Sequence, residues 1–118
     1  MRDFTRLEVW QRSRWLTREI YETTAEFPRS ERFGLTAQLR ACSVSIGANI
    51  AEGAGRGTDP DYARFVRYAA GSTNEIIHHL IIATDLGLLA EEDCERLRSA
   101  ATSIRSMLAR LDAALTRP

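Results

Sequence analysis

One pair of residues in the sequence has the spacing of a metal-binding motif. Glu75 and His78 form a Glu-x-x-His pair, which carboxylate-bridged di-metal bundles use twice, together with two further glutamates. This chain contains a single such pair, and its other histidine is the adjacent His79, which a helix turns about 100° away. Glu52 could add one ligand, but the set stays incomplete. The sequence therefore predicts a surface or interface histidine pair, with no metal and no cofactor.

The glycine-rich segment from Gly53 to Thr58 is similar at first sight to a phosphate-binding loop. It lacks the Gly-Lys-Ser/Thr ending, and it follows a predicted helix rather than a strand. Its backbone amides and Arg56 could receive an anion at the start of the next helix. An ordinary loop between two helices is the simpler interpretation.

The cysteines and serines give no pattern of a catalytic nucleophile. Cys42 and Cys94 form no Cys-x-x-Cys motif, and we expect neither to have a nearby histidine or helix start that would lower its pKa. We interpret both as buried, reduced thiols that pack as small apolar groups. The serines include no nucleophile elbow. The sequence thus predicts no catalytic residue, no enzyme and no small-molecule substrate.

Several polar residues fall on or beside the apolar face of the second predicted helix. Asn49 follows the 4-3-4 rhythm of the apolar seam, where an amide without a hydrogen-bond partner would be costly. A buried asparagine of this kind often fixes helix register or oligomeric state. Alternatively, a polar network binds a ligand. That network would consist of Gln38, Asn49, Glu52, Ser72 and Glu75.

All 16 basic residues are arginines, and 16 acidic residues balance them to a formal net charge of zero. Arginine suits phosphate recognition, but a protein that coats nucleic acid usually carries a strong positive excess. One group of arginines surrounds the second predicted helix, the loop after it and the next helix. The group consists of Arg40, Arg56, Arg64 and Arg67. These are the candidate nucleic-acid contacts, or else ordinary solvated charges.

The elements that would position these residues are four amphipathic helices. Helical periodicity covers residues 7–25, 31–53, 60–87 and 91–115, with Ser30 as the expected cap of the second helix. Because the connections are short, neighbouring helices should be antiparallel. The fold class is therefore all-α, an antiparallel up-down-up-down four-helix bundle that forms a single domain over residues 1–118.

Length and composition are consistent with this fold, and the sequence also indicates the cellular compartment. A chain of 118 residues with 44% hydrophobic and 27% charged residues can bury a core without disulfides. The first six residues include three charged side chains, unlike a secretory leader. The longest apolar run near the middle of the chain is far shorter than a bilayer span. We expect a cytoplasmic protein with no membrane partner.

The third predicted helix carries more apolar surface than one bundle can bury. With about 100° per residue, its apolar side chains between Ile76 and Leu86 cover most of the circumference. Such a helix should have two faces shielded from solvent, one in its own bundle and one against a partner. A second copy of the chain is the simplest partner. The candidate oligomer-interface residues are Trp15, Ile81 and Ile82.

Three segments of the chain carry a specific family likeness. They are Phe33-Gly34-Leu35, Gln38-Leu39-Arg40-Ala41, and the run from Ser45 to Gly53 that contains Asn-Ile-Ala-Glu-Gly. Together with Leu7-Glu8-Val9-Trp10, Phe27-Pro28, Arg56 and the run from Ala70 to Glu75, they resemble the bacterial four-helix-bundle family of 23S rRNA intervening-sequence proteins. The likeness covers nearly the whole chain.

The resemblance implies a small cytosolic bundle that assembles as a homopentamer and whose biochemical role is unsettled. The resemblance also marks a set of family signature residues, to which it assigns no mechanism. They are Gln38, Asn49, Glu52, Gly53, Arg56, Ser72 and Glu75. A related group serves retroelements as a basic, RNA-contacting pentamer, from which this chain departs in its zero net charge. We therefore expect a non-catalytic homo-oligomeric scaffold. The alternative is an accessory protein that binds RNA or a ribonucleoprotein through the arginine group.

Overall fold

The computed structural model of the protein describes residues 3–118, and four α-helices account for most of them. They are α1 (Glu8–Thr24), α2 (Leu35–Ala54), α3 (Asp59–Asp85) and α4 (Glu91–Leu115), with short 3-10 helices at Phe4–Arg6 and Arg29–Glu31. No strand occurs within this described range. The all-α prediction is confirmed. Met1 and Arg2, part of the predicted domain and of the charged N-terminal segment, lie outside the described residues.

The bounds of α3 and α4 follow the signals in the sequence closely. The Thr58 side chain accepts a hydrogen bond from the Asp61 backbone amide, and Pro60 lies in the first turn of α3. After α3, Gly87 takes a positive φ of 75°, which favours glycine and ends the helix. Helix α4 spans the predicted residues, with acidic side chains in its first turn, where the helix dipole stabilises them.

The predicted start of the second helix is wrong by four residues. Ser30 does not cap a helix that begins at residue 31, because Arg29–Glu31 forms a separate 3-10 turn. Helix α2 begins at Leu35, whose backbone amide donates to Glu31 Oε1 at 3.1 Å. Between them Gly34 adopts φ −106° and ψ −119°, outside the helical region. The Glu31 side chain thus caps α2 from the preceding turn.

The helices form a rod in which consecutive helices pack side by side and α1 closes against α4. The rod measures 47 × 21 × 20 Å. Each helix contributes apolar side chains at helical spacing to one continuous core. Its fully buried large members include Leu16, Ile20, Leu39, Ile46, Ile50, Ile76, Leu80, Leu97, Ile104 and Leu108. The four-helix bundle is confirmed, and none of its described helices is long and apolar enough to cross a membrane.

The three candidate interface residues lie outside this core. Trp15 is 44% exposed and lines a groove between α1 and α4, and Ile81 is 37% exposed in the groove between α3 and α4. Ile82 is half-buried. The structure thus leaves apolar side chains on more than one flank of the rod.

Candidate functional site

Most of the predicted signature residues lie along one side of the bundle, where α2 and α3 meet. Each helix contributes a stripe with heptad-like spacing that flanks the line of contact. The α2 stripe comprises Gln38, Cys42, Ser45, Asn49 and Glu52, and continues to Arg56 just after the helix. The α3 stripe comprises Phe65, Tyr68, Ser72, Glu75, His79, Ile82 and Leu86. We call these two stripes the α2–α3 face.

The centre of the α2–α3 face is a hydrogen-bonded group of small polar side chains. The hydroxyl oxygens of Ser45 and Ser72 lie 2.9 Å apart across the two helices. Asn49 donates from Nδ2 to the Ser45 carbonyl oxygen at 2.9 Å and to Ser45 Oγ at 3.1 Å. The structure therefore places the Asn49 amide on the polar stripe rather than in the apolar seam, half-buried and paired with its own helix.

The residues predicted as one polar network form separate groups instead. Gln38 and Glu52 are exposed near opposite ends of α2. Glu75 contacts Cys42 and His79 instead of either of them. The reason is geometric, because Gln38 and Glu52 are 14 residues apart on α2, which separates them by about 21 Å along its axis.

Cys42, Glu75 and His79 form a compact cluster one turn from the serine pair. The buried Cys42 thiol donates to Glu75 Oε2 at 2.7 Å, and His79 Nε2 lies 3.4 Å from the same oxygen. Burial, followed by the nearby Glu75 carboxylate, raises the pKa of Cys42 to about 12. The hydrogen bond from Cys42 holds the pKa of Glu75 below its ordinary value, and His79 acts in the same direction.

The sequence prediction for this region paired Glu75 with the wrong histidine. His78 is exposed and packs edge-on against the His79 ring, with ring centres 5.2 Å apart. His79, four residues after Glu75, is the one that lies on its helix face. The prediction that Cys42 has no histidine nearby is also wrong, because the partner comes from another helix.

A chain of ion pairs joins the end of α2 to the start of α3. Arg56 contacts Glu52 at 3.2 Å and Asp61 at 2.6 Å, and Arg64 contacts Asp61 at 2.7 Å. Both guanidinium groups lie over the Phe65 ring, at 5.1 and 4.8 Å from its centre. Hydrogen bonds from the two arginines hold the pKa of Asp61 below its ordinary value. This arrangement fixes the turn between the helices.

Gly53 lies at a point where α2 and α3 approach closely. A Cβ atom at this position would lie 2.9 Å from Phe65 Cβ, 2.9 Å from Tyr62 Cδ1 and 3.1 Å from the Tyr62 carbonyl oxygen. Real Cβ atoms do not make contacts this short. Gly53 is therefore a packing residue of the signature, and the loop that follows it is an inter-helix turn.

The other two candidate arginines are engaged by different helices. Arg40 donates to Thr24 Oγ1 at 2.9 Å and to the Tyr21 carbonyl oxygen at 3.2 Å, near the end of α1, and stacks over the Tyr21 ring. Arg67 pairs with Asp112 of α4 at 3.0 Å. The four arginines thus have contacts within the chain and do not form one continuous basic patch.

The fold agrees with that of the proteins to which the chain is similar. The sequence model for the 23S rRNA-intervening sequence protein family matches residues 5–110. The chain belongs to this family. A similar crystal structure, from Bacteroides thetaiotaomicron at 1.70 Å resolution, is that of a protein of unknown function from the S23 ribosomal protein family. It superposes with a TM-score of 0.77 at 20% identity, covering 93% of this chain and 99% of that one. No curated protein matches the chain.

The family assignment explains the shared fold without assigning a reaction. At 20% identity the crystal structure supports the four-helix architecture alone. Within this intervening sequence protein, the signature residues Gly53, Arg56 and Ser72 have structural contacts that hold α2 against α3. Asn49 bonds instead to Ser45 of its own helix. Cys42 and His79 were not predicted as site residues. The i, i+4 spacing of Glu75 and His79 was the signal that could have found the histidine.

Proposed function

We propose that this intervening sequence protein is a non-catalytic helical scaffold that assembles with copies of itself, with a pentamer as the expected assembly. The observation that carries the proposal is the outer face of α2. Its exposed positions at 4-3-4 spacing are all apolar, namely Ala37, Ala41, Val44 and Ala48. We call this set the α2 outer seam. Small apolar residues at this spacing allow a second helix to approach closely and pack in register.

The opposite helix shows what a solvated face of this protein is like. The exposed positions of α4 at similar spacing are polar, and include Glu95, Arg98, Thr102 and Ser106. The exposed face of α4 is therefore polar and solvated, whereas that of α2 is apolar. Val44 is 48% exposed, and beside it an apolar groove of about 350 Å³ runs between α1 and α2, bounded by Trp10, Gly47 and Ala51 among others. Apolar side chains gathered on one exposed face favour an interaction surface there.

Charge and symmetry also favour self-association. Since the formal net charge is zero, copies of the chain do not repel one another strongly. A closed ring of copies uses two different faces of each protomer. The α2 outer seam supplies one face, and Ile81, exposed between α3 and α4, lies on another flank.

We propose no catalysis because the cluster that most resembles an active site lacks a reactive nucleophile. Cys42 is the thiol beside a histidine, but its pKa of about 12 keeps it protonated at neutral pH, so it is a poor nucleophile. Its thiol proton is directed to Glu75 rather than to His79.

The alternative function, binding of RNA or a ribonucleoprotein, has weaker support. Arg56 and Arg64 stack on Phe65, and Arg64 also reaches Tyr68, an arrangement that exposes aromatic and guanidinium groups together. However, Glu52 and Asp61 together balance the charge of the two arginines. RNA binding with a steep salt dependence that Arg64→Ala reduces would favour this alternative over the scaffold.

The experiment that tests the scaffold is a matched pair of double variants. Val44→Glu with Ala48→Glu places two charges on the α2 outer seam, and Thr102→Glu with Ser106→Glu places two charges at the same spacing on α4. We expect sedimentation velocity to show a monomer for the first variant and the parent oligomer for the second, with equal helicity by circular dichroism. If both variants keep the mass of the parent assembly, the α2 outer seam is not the interface.

A further inference from the structure

The geometry points to a divalent transition-metal site formed by Cys42, Glu75 and His79, with Zn²⁺ as the metal that fits its donors best. The three side chains offer one sulfur, one oxygen and one nitrogen, which are the donor types that zinc takes in proteins. Their candidate ligand atoms all lie within 4.8 Å of one another. Two helices supply them, so the bundle packing brings the donors together.

The distance between the Glu75 and His79 atoms already matches a metal-bound pair, and the Cys42 sulfur lies within 4.8 Å of both. With metal–ligand bonds of about 2.0–2.3 Å, ligand atoms around tetrahedral zinc lie about 3.5 Å apart. Glu75 Oε2 already lies 3.4 Å from His79 Nε2 and 2.7 Å from Cys42 Sγ. Rotation of the half-exposed Glu75 side chain is enough to open the shorter distance.

A second, independent observation is the state of the His79 ring. Its Nε2 atom is shielded from solvent and has no hydrogen-bond partner of good geometry among the residues described. A buried polar atom in this condition destabilises the fold, and each instance calls for a ligand or another partner. A metal ion coordinated by Nε2 would satisfy it.

Binding at this site exchanges one proton for the metal. The Cys42 S–H bond breaks, the sulfur lone pair forms the bond to Zn²⁺, and the proton is released to water. Glu75, which accepts the thiol hydrogen bond in the metal-free protein, is then free to coordinate. Because the Glu75 side chain is 54% exposed, solvent reaches the cluster and supplies water for a fourth position.

The site does not depend on the proposed assembly. All three donors belong to one protomer and join α2 to α3, so a monomer and an oligomer would bind one metal per chain alike. The sulfur and nitrogen donors also predict selectivity, since Mg²⁺ and Ca²⁺ prefer oxygen ligands.

The test is a Co²⁺ titration of the full-length, metal-free, reduced protein, followed by displacement with Zn²⁺. We expect a sulfur-to-cobalt charge-transfer band and visible d–d bands that saturate at one Co²⁺ per chain, and an excess of Mg²⁺ should leave them unchanged. Cys42→Ser should abolish the charge-transfer band. Cys94→Ser is the matched control, because the Cys94 thiol is also buried but donates to the Leu80 carbonyl oxygen, and this variant should keep the band.

The adjacent histidines give a second comparison that does not involve the cysteine. His79→Gln should weaken Co²⁺ binding by at least about tenfold, as loss of even an outer-shell partner does, whereas His78→Gln should leave it unchanged. The proposal is overturned if no charge-transfer band forms, if the band survives in Cys42→Ser, or if the two histidine variants bind alike. If Cys42→Ser is unfolded by circular dichroism, the histidine pair decides the outcome.

Discussion

Replacing Gly53 by alanine tests directly whether the family signature serves the packing of α2 on α3. The new Cβ would lie 2.9 Å from Phe65 Cβ and 3.1 Å from the Tyr62 carbonyl oxygen, so the backbone of α3 must move. Overpacking of this kind costs about 1–3 kcal/mol. Alanine recovers at most about 1 kcal/mol through its higher helix propensity. We therefore expect the free energy of unfolding to fall by about 1–2 kcal/mol.

The chain offers a matched control for this substitution in Gly71. This glycine lies inside α3, is exposed, and has no atom within 4 Å of a built Cβ. Gly71→Ala should therefore raise the free energy of unfolding by about 0.5–1 kcal/mol through helix propensity alone. The same chemical change is thus predicted to have opposite signs at two positions in adjacent helices.

Thermal unfolding of both variants at one protein concentration measures the difference, because assembly makes Tm depend on concentration. At about 4 °C per kcal/mol for a domain of this size, Gly53→Ala should lower Tm by about 4–8 °C and Gly71→Ala should raise it by about 2–4 °C. If Gly53→Ala is as stable as the parent, the close approach at Gly53 is not what the signature glycine provides.

Three further predictions concern the interface, the thiol and the helix caps. Ile81→Glu and Ile82→Glu should each dissociate the oligomer with helicity retained, as sedimentation velocity would show; unchanged mass in both would remove these residues from the interface. The pKa of Cys42 is about 12 in the folded chain against an ordinary value of 9.0, so the protonated thiol stabilises the metal-free fold. This contribution is complete below pH 9 and is lost as the pH rises towards 12. Urea titrations should therefore show stability falling over this range, and Cys42→Ala should flatten that slope. Thr58→Ala should lower stability by about 1 kcal/mol through loss of the α3 cap, whereas Ala90→Ser should raise it by up to about 1 kcal/mol; denaturant midpoints in the reverse order would contradict both assignments.

The helices could be predicted from sequence because each depends on local signals. The apolar repeat and acidic first turn of α4 fix Glu91–Leu115, and Thr58 with Pro60 marks the start of α3. The start of α2 could not be predicted as readily, since the Glu31 side chain, reaching forward past a 3-10 turn, competes with Ser30 as the cap.

The side-chain contacts at the site could not be predicted from the sequence as readily as the helices. Cys42 and Glu75 are 33 positions apart, and their contact depends on the register between α2 and α3, which spacing along one helix does not determine. Asn49 was predicted on the apolar seam for a related reason. The apolar seam and the polar stripe of α2 are adjacent, and only a small rotation about the helix axis separates them. A helical wheel of both helices together would have brought Glu75 and His79 onto one face.

The most direct test of the scaffold is the mass of the unmodified protein in solution. Sedimentation equilibrium over a wide concentration range measures it without reference to shape, which matters for a rod of 47 × 21 × 20 Å. We expect a stable assembly of five 13.3 kDa chains. A single 13.3 kDa species that persists at the highest concentrations would contradict it.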